Sequence, residues 1–286
     1  VTSEKTMGLY QNNNASQLAI LTDGIYKNID FTVNTLDNQT SLLNALSGLN
    51  LNYFKRAPSQ LFDKDAKSLN QRVAKNVSNS NKDFVTITYR VIAPPHSQLY
   101  VSVPNISWSD DNNHSLSITV NGVTRNQVTD NTFDFFDLGY FETESMVTIK
   151  LSFPGNKAIS FDNPSFYALD TQNYQIAMDT INERDSKVTT SNNKVFVDYS
   201  SKTNASLFFT IPYDKGWTAT INYKKVKIQR AQKGFMKVDV PSGKGKVVLT
   251  FIPYGLKTGL LISLLASIIF CCYAYFIRKI TVIQKR

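Results

Sequence analysis

The stretch FVTITYRVIA (Phe84–Ala93) places Val85, Ile87, Tyr89 and Val91 on one side and Thr86, Thr88 and Arg90 on the other. A period of two marks a β-strand with one buried and one solvated face, the pattern of an antiparallel sheet. Pro94-Pro95 ends the run. Working outward, LYVSVP, SLSITVNG, FDFFDLGYF and MVTIKLSF follow at short intervals, and Asn121-Gly122 is the residue pair that a two-residue hairpin turn favours. Short strands with such punctuation predict a β-sandwich, jelly-roll-like in its strand spacing, over residues 82–169. The 14 tyrosines and 18 phenylalanines bias the whole chain towards strand.

Beyond it, DTQNYQIAMDTINER (Asp170–Arg184) changes period. Tyr174, Ala177, Met178 and Ile181 share one helical face, and Asp170 is placed to cap it. A second run of strand signals begins near Lys194 (KVFVDYS, ASLFFTIPY, GWTATINY, KVKIQR, FMKVDVP, KVVLTFIPY). Trp217, Ala219, Ile221 and Tyr223 alternate with Thr218, Thr220 and Asn222. The reading is a linking helix and a second small antiparallel β domain over 170–256. On the N-terminal side, residues 1–81 read as a mixed lead-in. It comprises polar Asn-rich segments, a short helix from Thr40 to about Phe54 with Gly48 as its stop, and a polar stretch at 63–82 that reads as a linker or an exposed hairpin arm. The fold class is therefore mainly β: two antiparallel sandwich domains with short helices.

TGLLISLLASIIFCCYAYFI (Thr258–Ile277) carries no charge and is followed at once by Arg278 and Lys279. Twenty apolar residues make a helix of about 30 Å, enough to cross a bilayer. Residues 257–286 are thus a transmembrane helix with a basic tail. Lys285 and Arg286 also follow the span, whereas only Lys257 lies just before it. That asymmetry puts the C-terminus in the cytoplasm and residues 1–256 outside the cell. No secretory signal opens the chain, so this topology implies an N-terminal membrane region of the same protein upstream of Val1. Five basic residues around the span account for more than half of the net charge of +9. The remainder is scattered among acids, without the basic stripe that a nucleic acid needs. Both cysteines, Cys271 and Cys272, lie in the span, which leaves the outer part without a disulfide framework. An exported domain of this size without cysteine is associated with Gram-positive bacteria.

Catalytic signals are weak. His96 and His114 are the two histidines and stand apart in loops. Asp110, Asp111, Asn112 and Asn113 offer oxygens but lack the alternating calcium-loop spacing, and turn formation explains them. Glu142 and Glu144 fall on one face of a strand without an enclosing cleft. The reading assigns no catalytic residue, no metal site and no cofactor. Two aromatic positions are candidates for stacking on a sugar. Trp217 follows the tight turn Tyr213-Asp214-Lys215-Gly216, and Trp108 precedes the Asp/Asn cluster. A tryptophan at a strand start is more often a core anchor.

FFTIPYDKGWTATIN (Phe208–Asn222) and GFMKVDVPSGKGKVVLTFIPYGLKTGLLIS (Gly234–Ser263) resemble the C-terminal end of bacterial YfhO-type membrane proteins. The shared features are an Ile-Pro-Tyr-Asp-x-Gly-Trp turn, a Gly-Phe-Met strand, a Pro-x-Gly turn and a Pro-Tyr-Gly step into a last span. Met7-Gly8-Leu9-Tyr10 and the Asn38–Gly48 stretch are similar to earlier parts of that family. The resemblance implies a polytopic protein of GT-C-type glycosyltransferase architecture. Such a protein moves sugar from a polyprenyl-phosphate carrier to an envelope polymer such as teichoic acid. The family's catalytic acids are expected in an early external loop outside this chain. This part would then engage the acceptor glycopolymer or scaffold the site. The rival reading is a non-enzymatic surface module that binds carbohydrate or adheres.

Overall fold

The computed structural model describes residues 15–32, 35–64, 68–69, 72–74, 84–108, 114–129, 134–154 and 159–283. The chain is mainly β and forms two compact units. A central unit holds residues 30–44 and 49–179, and a terminal unit holds 1–29, 45–48 and 180–286.

In the central unit a five-stranded sheet runs in the order Val123–Thr129, His114–Val120, Ser145–Pro154, Phe84–Ala93, Ser59–Lys64. A four-stranded sheet runs Asp134–Phe141, Ser97–Val103, Ser165–Asp170, Phe54–Arg56. All neighbours in both are antiparallel. The alternation of Phe84–Ala93 is what fixes the register. Val91 lies opposite Val147, Ile87 opposite Leu151 and Val85 opposite Phe153, so both strands turn the same parity inward. Leu99, Val101, Val103, Phe166 and Ala168 come from the other sheet into the same buried cluster. Each such valine, leucine or phenylalanine side chain stabilises the unit by roughly 1.5–3 kcal/mol. From Phe84 to Asp170 the chain passes repeatedly between the two sheets, as in a jelly roll. A small third sheet pairs Ser68–Leu69, Arg72–Ala74, Ile159–Asp162 and Ser107–Trp108.

The terminal unit is a second sandwich. One sheet runs Ala19–Leu21, Ala205–Phe209, Phe235–Val240, Gln229–Ala231. The other runs Ser186–Ser191, Lys194–Ser201, Gly243–Phe251, Trp217–Ile221, Lys224–Val226. Their shared core contains Val195, Val197, Leu207, Phe209, Met236, Val238, Val247 and Leu249. Ala19 and Leu21 belong to it too, because Ala19 pairs with Phe209 and Leu21 with Leu207. The described part of the lead-in at 1–81 is therefore divided between the two units, with Ala19–Leu21 in one and Phe54–Lys64 in the other. The polar stretch at 63–82 and Met7–Tyr10 lie mostly or wholly outside the described residues.

The described residues also form three helices: α1 (Thr35–Ser47), α2 (Thr171–Asn182) and α3 (Leu256–Ile283). α1 begins earlier than Thr40, and Gly48 stops it at φ +76°, the left-handed geometry glycine adopts without strain. α2 follows its periodicity. The Asp170 Oδ1 accepts a 3.0 Å hydrogen bond from Asn173 N–H, and Ala177, Met178 and Ile181 are buried.

Candidate functional site

The turn between Ala205–Phe209 and Trp217–Ile221 is tied on every side. Tyr213 N–H donates to the Gly234 carbonyl (2.7 Å), Trp217 N–H to the Asp214 carbonyl (3.2 Å) and Ile252 N–H to the Gly216 carbonyl (3.0 Å). The Asp214 Oδ1 accepts from Gly216 N–H at 2.6 Å, which closes the turn. A Cβ on Gly216 would stand 2.3 Å from the Ile252 carbonyl oxygen, so only glycine fits. The Trp217 ring lies 4.9 Å from Phe251 and packs on the core, and the Arg230 guanidinium lies 4.7 Å from the Tyr213 ring. Tyr213, Asp214 and Trp217 are thus brought together where Gly243–Phe251 ends and the chain passes into α3. Trp217 and Tyr213 are half-buried, and Asp214 is exposed with one oxygen engaged. Trp108 belongs to the central unit, where its backbone pairs with Ile159. The Asp110–Asn113 cluster lies outside the described residues.

A hollow of about 540 Å³ lies on the five-stranded sheet of the terminal unit. Lys187, Asp198 and Lys246 stand in one cross-strand row, and Lys246 Nζ is 3.6 Å from the Asp198 carboxylate. Lys244 and Asp185 extend the lining. Tyr199 sits opposite Gly245, where an added Cβ would fall 2.6 Å from the tyrosine oxygen. Tyr199 itself belongs to the core beneath the cleft, where burial raises its pKa. Three lysines against two aspartates, with the Ser200 hydroxyl among them, suit an anionic, hydroxyl-bearing ligand. Sequence reasoning passed over this cleft. The signal was present in Lys244-Gly245-Lys246, but its partners come from strands about fifty residues earlier, which no local pattern joins. A smaller hollow of about 290 Å³ lies on the central unit's five-stranded sheet, lined by Thr86, Ser117, Thr119, Thr124, Ser152 and Lys150.

Other polar groups serve the fold. Lys237 is buried on Phe235–Val240; its Nζ donates to the Tyr26 carbonyl (2.8 Å) and to Asp239 Oδ1 (2.9 Å). Asp239 also accepts from Ser206 Oγ and Gln229 Nε2, both at 2.6 Å. Desolvation raises the Asp239 pKa, but these hydrogen bonds and the lysine charge outweigh it, so the net shift is downward. Tyr26 donates to Gln232 Oε1 (2.7 Å), and burial pushes its pKa up to about 12. His96 Nδ1 lies 3.3 Å from Glu142 Oε1 on the surface. Among the described residues no group of three or more His, Cys, Asp or Glu is placed to hold a metal ion.

Within α3, Leu256–Ile277 has a mean hydropathy of 2.4, and none of its most apolar window is buried against protein. A helix of this length and apolarity can cross a bilayer. Fold and helix together define a membrane protein whose β-sandwich leads directly into an apolar helix of membrane-crossing length.

The chain matches the bacterial membrane protein YfhO family over residues 1–263 and belongs to it. It is 25% identical over 135 residues to the "Uncharacterized protein YfhO" of Bacillus subtilis (strain 168). That match covers 44% of this chain and 16% of the relative, so the chain spans a minor part of the relative's length. Among solved structures, allantoicase is similar at a TM-score of 0.30 and 9% identity, covering 78% of this chain and 96% of that one. A Paenibacillus cycloisomaltooligosaccharide glucanotransferase complexed with cycloisomaltoheptaose gives 0.27 and 9%, covering 70% and 46%. A family two carbohydrate esterase from Cellvibrio japonicus gives 0.22 and 10%, covering 40% and 33%. Likenesses this distant carry no argument about fold or function.

Proposed function

We propose that this chain is the extracellular C-terminal part of a polytopic, GT-C-type membrane glycosyltransferase that takes sugar from a polyprenyl-phosphate donor. Its role is to hold the envelope glycopolymer that receives the sugar. The chemistry belongs to the protein's N-terminal membrane region, and the C-terminus of this chain is cytoplasmic. The observation that supports acceptor holding is the lysine-lined cleft on the terminal unit's five-stranded sheet. A phosphate-linked polyol presents the alternating anions and hydroxyls that Lys187, Lys244, Lys246 and the Ser200 hydroxyl complement. The cleft lies towards the Gly243 end of Gly243–Phe251, the end away from α3. A polymer reaching out from the membrane is accessible there.

The test uses the intact parent protein in membranes with a polyprenyl-phosphate sugar, following sugar incorporation into a phosphate-containing envelope polymer. Replacing Lys187, Lys244 and Lys246 by serine is expected to raise the acceptor KM about tenfold with kcat little changed. This follows from three exposed ionic contacts of roughly 0.5 kcal/mol each. Absence of sugar transfer by the wild type would refute the glycosyltransferase reading. An unchanged acceptor KM would refute the role of the cleft, and binding of polymer without transfer would favour a carbohydrate-binding surface module.

A further inference from the structure

Four turns of the terminal unit converge at the end where the chain passes into α3. Asn193 fastens the turn after Ser186–Ser191 to Phe251, donating from Nδ2 to its carbonyl (2.7 Å) and accepting its N–H at the Asn193 carbonyl (2.9 Å). The Tyr213–Gly216 turn is fastened to Ile252, and Gly234 to Tyr213. The fourth is Ile252-Pro253-Tyr254-Gly255 itself, with Leu256 N–H donating to the Pro253 carbonyl at 3.1 Å. Only four residues separate the last strand from α3, a reach of about 18 Å from Phe251 to Leu256 even when fully extended.

This end carries Lys194, Lys215, Arg230, Lys233 and Lys257, and the Oδ1 of Asp214 among them is turned onto Gly216 N–H. Tyr254 is 80% exposed, and the Lys215 ammonium lies 5.7 Å from its ring centroid. The Trp217 ring begins the adjacent strand. An exposed tyrosine, a half-buried tryptophan and a set of cations beside the first turn of an unburied apolar helix have the composition of a membrane–water interface. Each lysine held at an anionic surface contributes on the order of 1 kcal/mol.

We propose that this end of the sandwich is a second membrane contact, a basic and aromatic rim that rests on anionic phospholipid headgroups around α3. Its partner is the lipid phosphate. The turn that the sequence marks as a sugar candidate is, on this reading, a collar that seats the domain on the bilayer. The inference goes beyond the proposed acceptor role and stands whether or not the parent protein transfers sugar.

The experiment reconstitutes the full chain with Trp108→Phe, which leaves Trp217 as its one tryptophan. The vesicles contain phosphatidylcholine with or without phosphatidylglycerol, doped with lipids brominated either close to the headgroup or near the chain terminus. Headgroup-proximal bromine is expected to quench Trp217 more than terminal bromine, and more strongly with phosphatidylglycerol present. The Lys194→Glu/Lys215→Glu pair should weaken the rim contact by roughly fivefold per lysine. Lys202→Glu, in a turn at the other end of the sheets, should leave the quenching unchanged. Resistance of α3 to alkaline extraction confirms that the variants insert. Should the double variant misfold, added salt on the wild-type chain does the same work, because rim charges are screened beyond about 8 Å at physiological ionic strength. Absent lipid quenching, equal quenching in the two lipid compositions, or insensitivity to both salt and charge reversal would each overturn the proposal. So would protection of Trp217 by a soluble envelope polymer in place of lipid.

Discussion

Lys237 and Asp239 lie two residues apart on one strand, and their side chains meet on the same face with Ser206, Gln229 and the Tyr26 carbonyl. A buried lysine is tolerated when paired and hydrogen-bonded, and here Lys237 pairs with Asp239 and also donates to the Tyr26 carbonyl. The strand FMKVDV was legible from its alternation. The burial of its lysine was not, because its partner Tyr26 lies 211 residues earlier, and Ser206, which donates to Asp239, lies 33 residues before that aspartate. The net lowering of the Asp239 pKa has a definite sign in stability. Its contribution is fully present above the unfolded carboxylate value, about 3.9, and is lost as pH falls through the folded value. Thermal unfolding followed against pH should therefore show a falling acid limb below about pH 4. Asp239→Asn should lower the midpoint at neutral pH and flatten that limb. An acid limb identical to wild type would contradict the network's role.

Arg184 organises elements that are distant in sequence. Its guanidinium donates to the carbonyls of Leu21 (2.7 Å), Leu46 (2.6 Å) and Ser47, so it closes the C-terminus of α1 and holds the edge strand Ala19–Leu21. A cation at a helix C-terminus also meets the negative end of the helix dipole. Burial lowers the arginine's pKa from its usual value, with Asp23 opposing. Arg184→Ala is expected to destabilise the protein by about 3 kcal/mol, because buried carbonyls lose their donor. Arg184→Lys should recover only part of this, since an ammonium does not reproduce the planar fork. Urea unfolding measures both, and faster hydrogen exchange at Leu46–Gly48 is the local mark. Legibility at this scale followed turn chemistry. Asn121-Gly122 forms the expected hairpin turn, with both residues at positive φ. Asn222-Tyr223 adopts the same left-handed pair at φ 46° and 69°, but tyrosine is no turn signal and the sequence reading placed it in the strand. The sugar candidates were legible as a turn. Their tie to Ile252 was not, because that contact spans 36 residues.

The described residues form two separate buried clusters, one per unit. Two cores predict two cooperative transitions, because a single unfolding free energy describes a single domain. Ile149→Ala, in the central core, should cost that unit roughly 2–5 kcal/mol and shift one calorimetric transition while the other stays in place. A single transition shifted as a whole would refute the separation. Period-two alternation showed that there are two sandwiches. Where each begins was not readable, since Ala19-Ile20-Leu21 is too short to declare its partner and pairs 188 residues away. That pairing governs the order of events during biosynthesis. At roughly 5–20 residues per second, Ala19–Leu21 waits about ten to forty seconds before Ala205–Phe209 has been made. The central unit's strands are all synthesised within that interval. Every strand of the central sandwich therefore leaves the ribosome before the edge strand Ala19–Leu21 has anything to pair with.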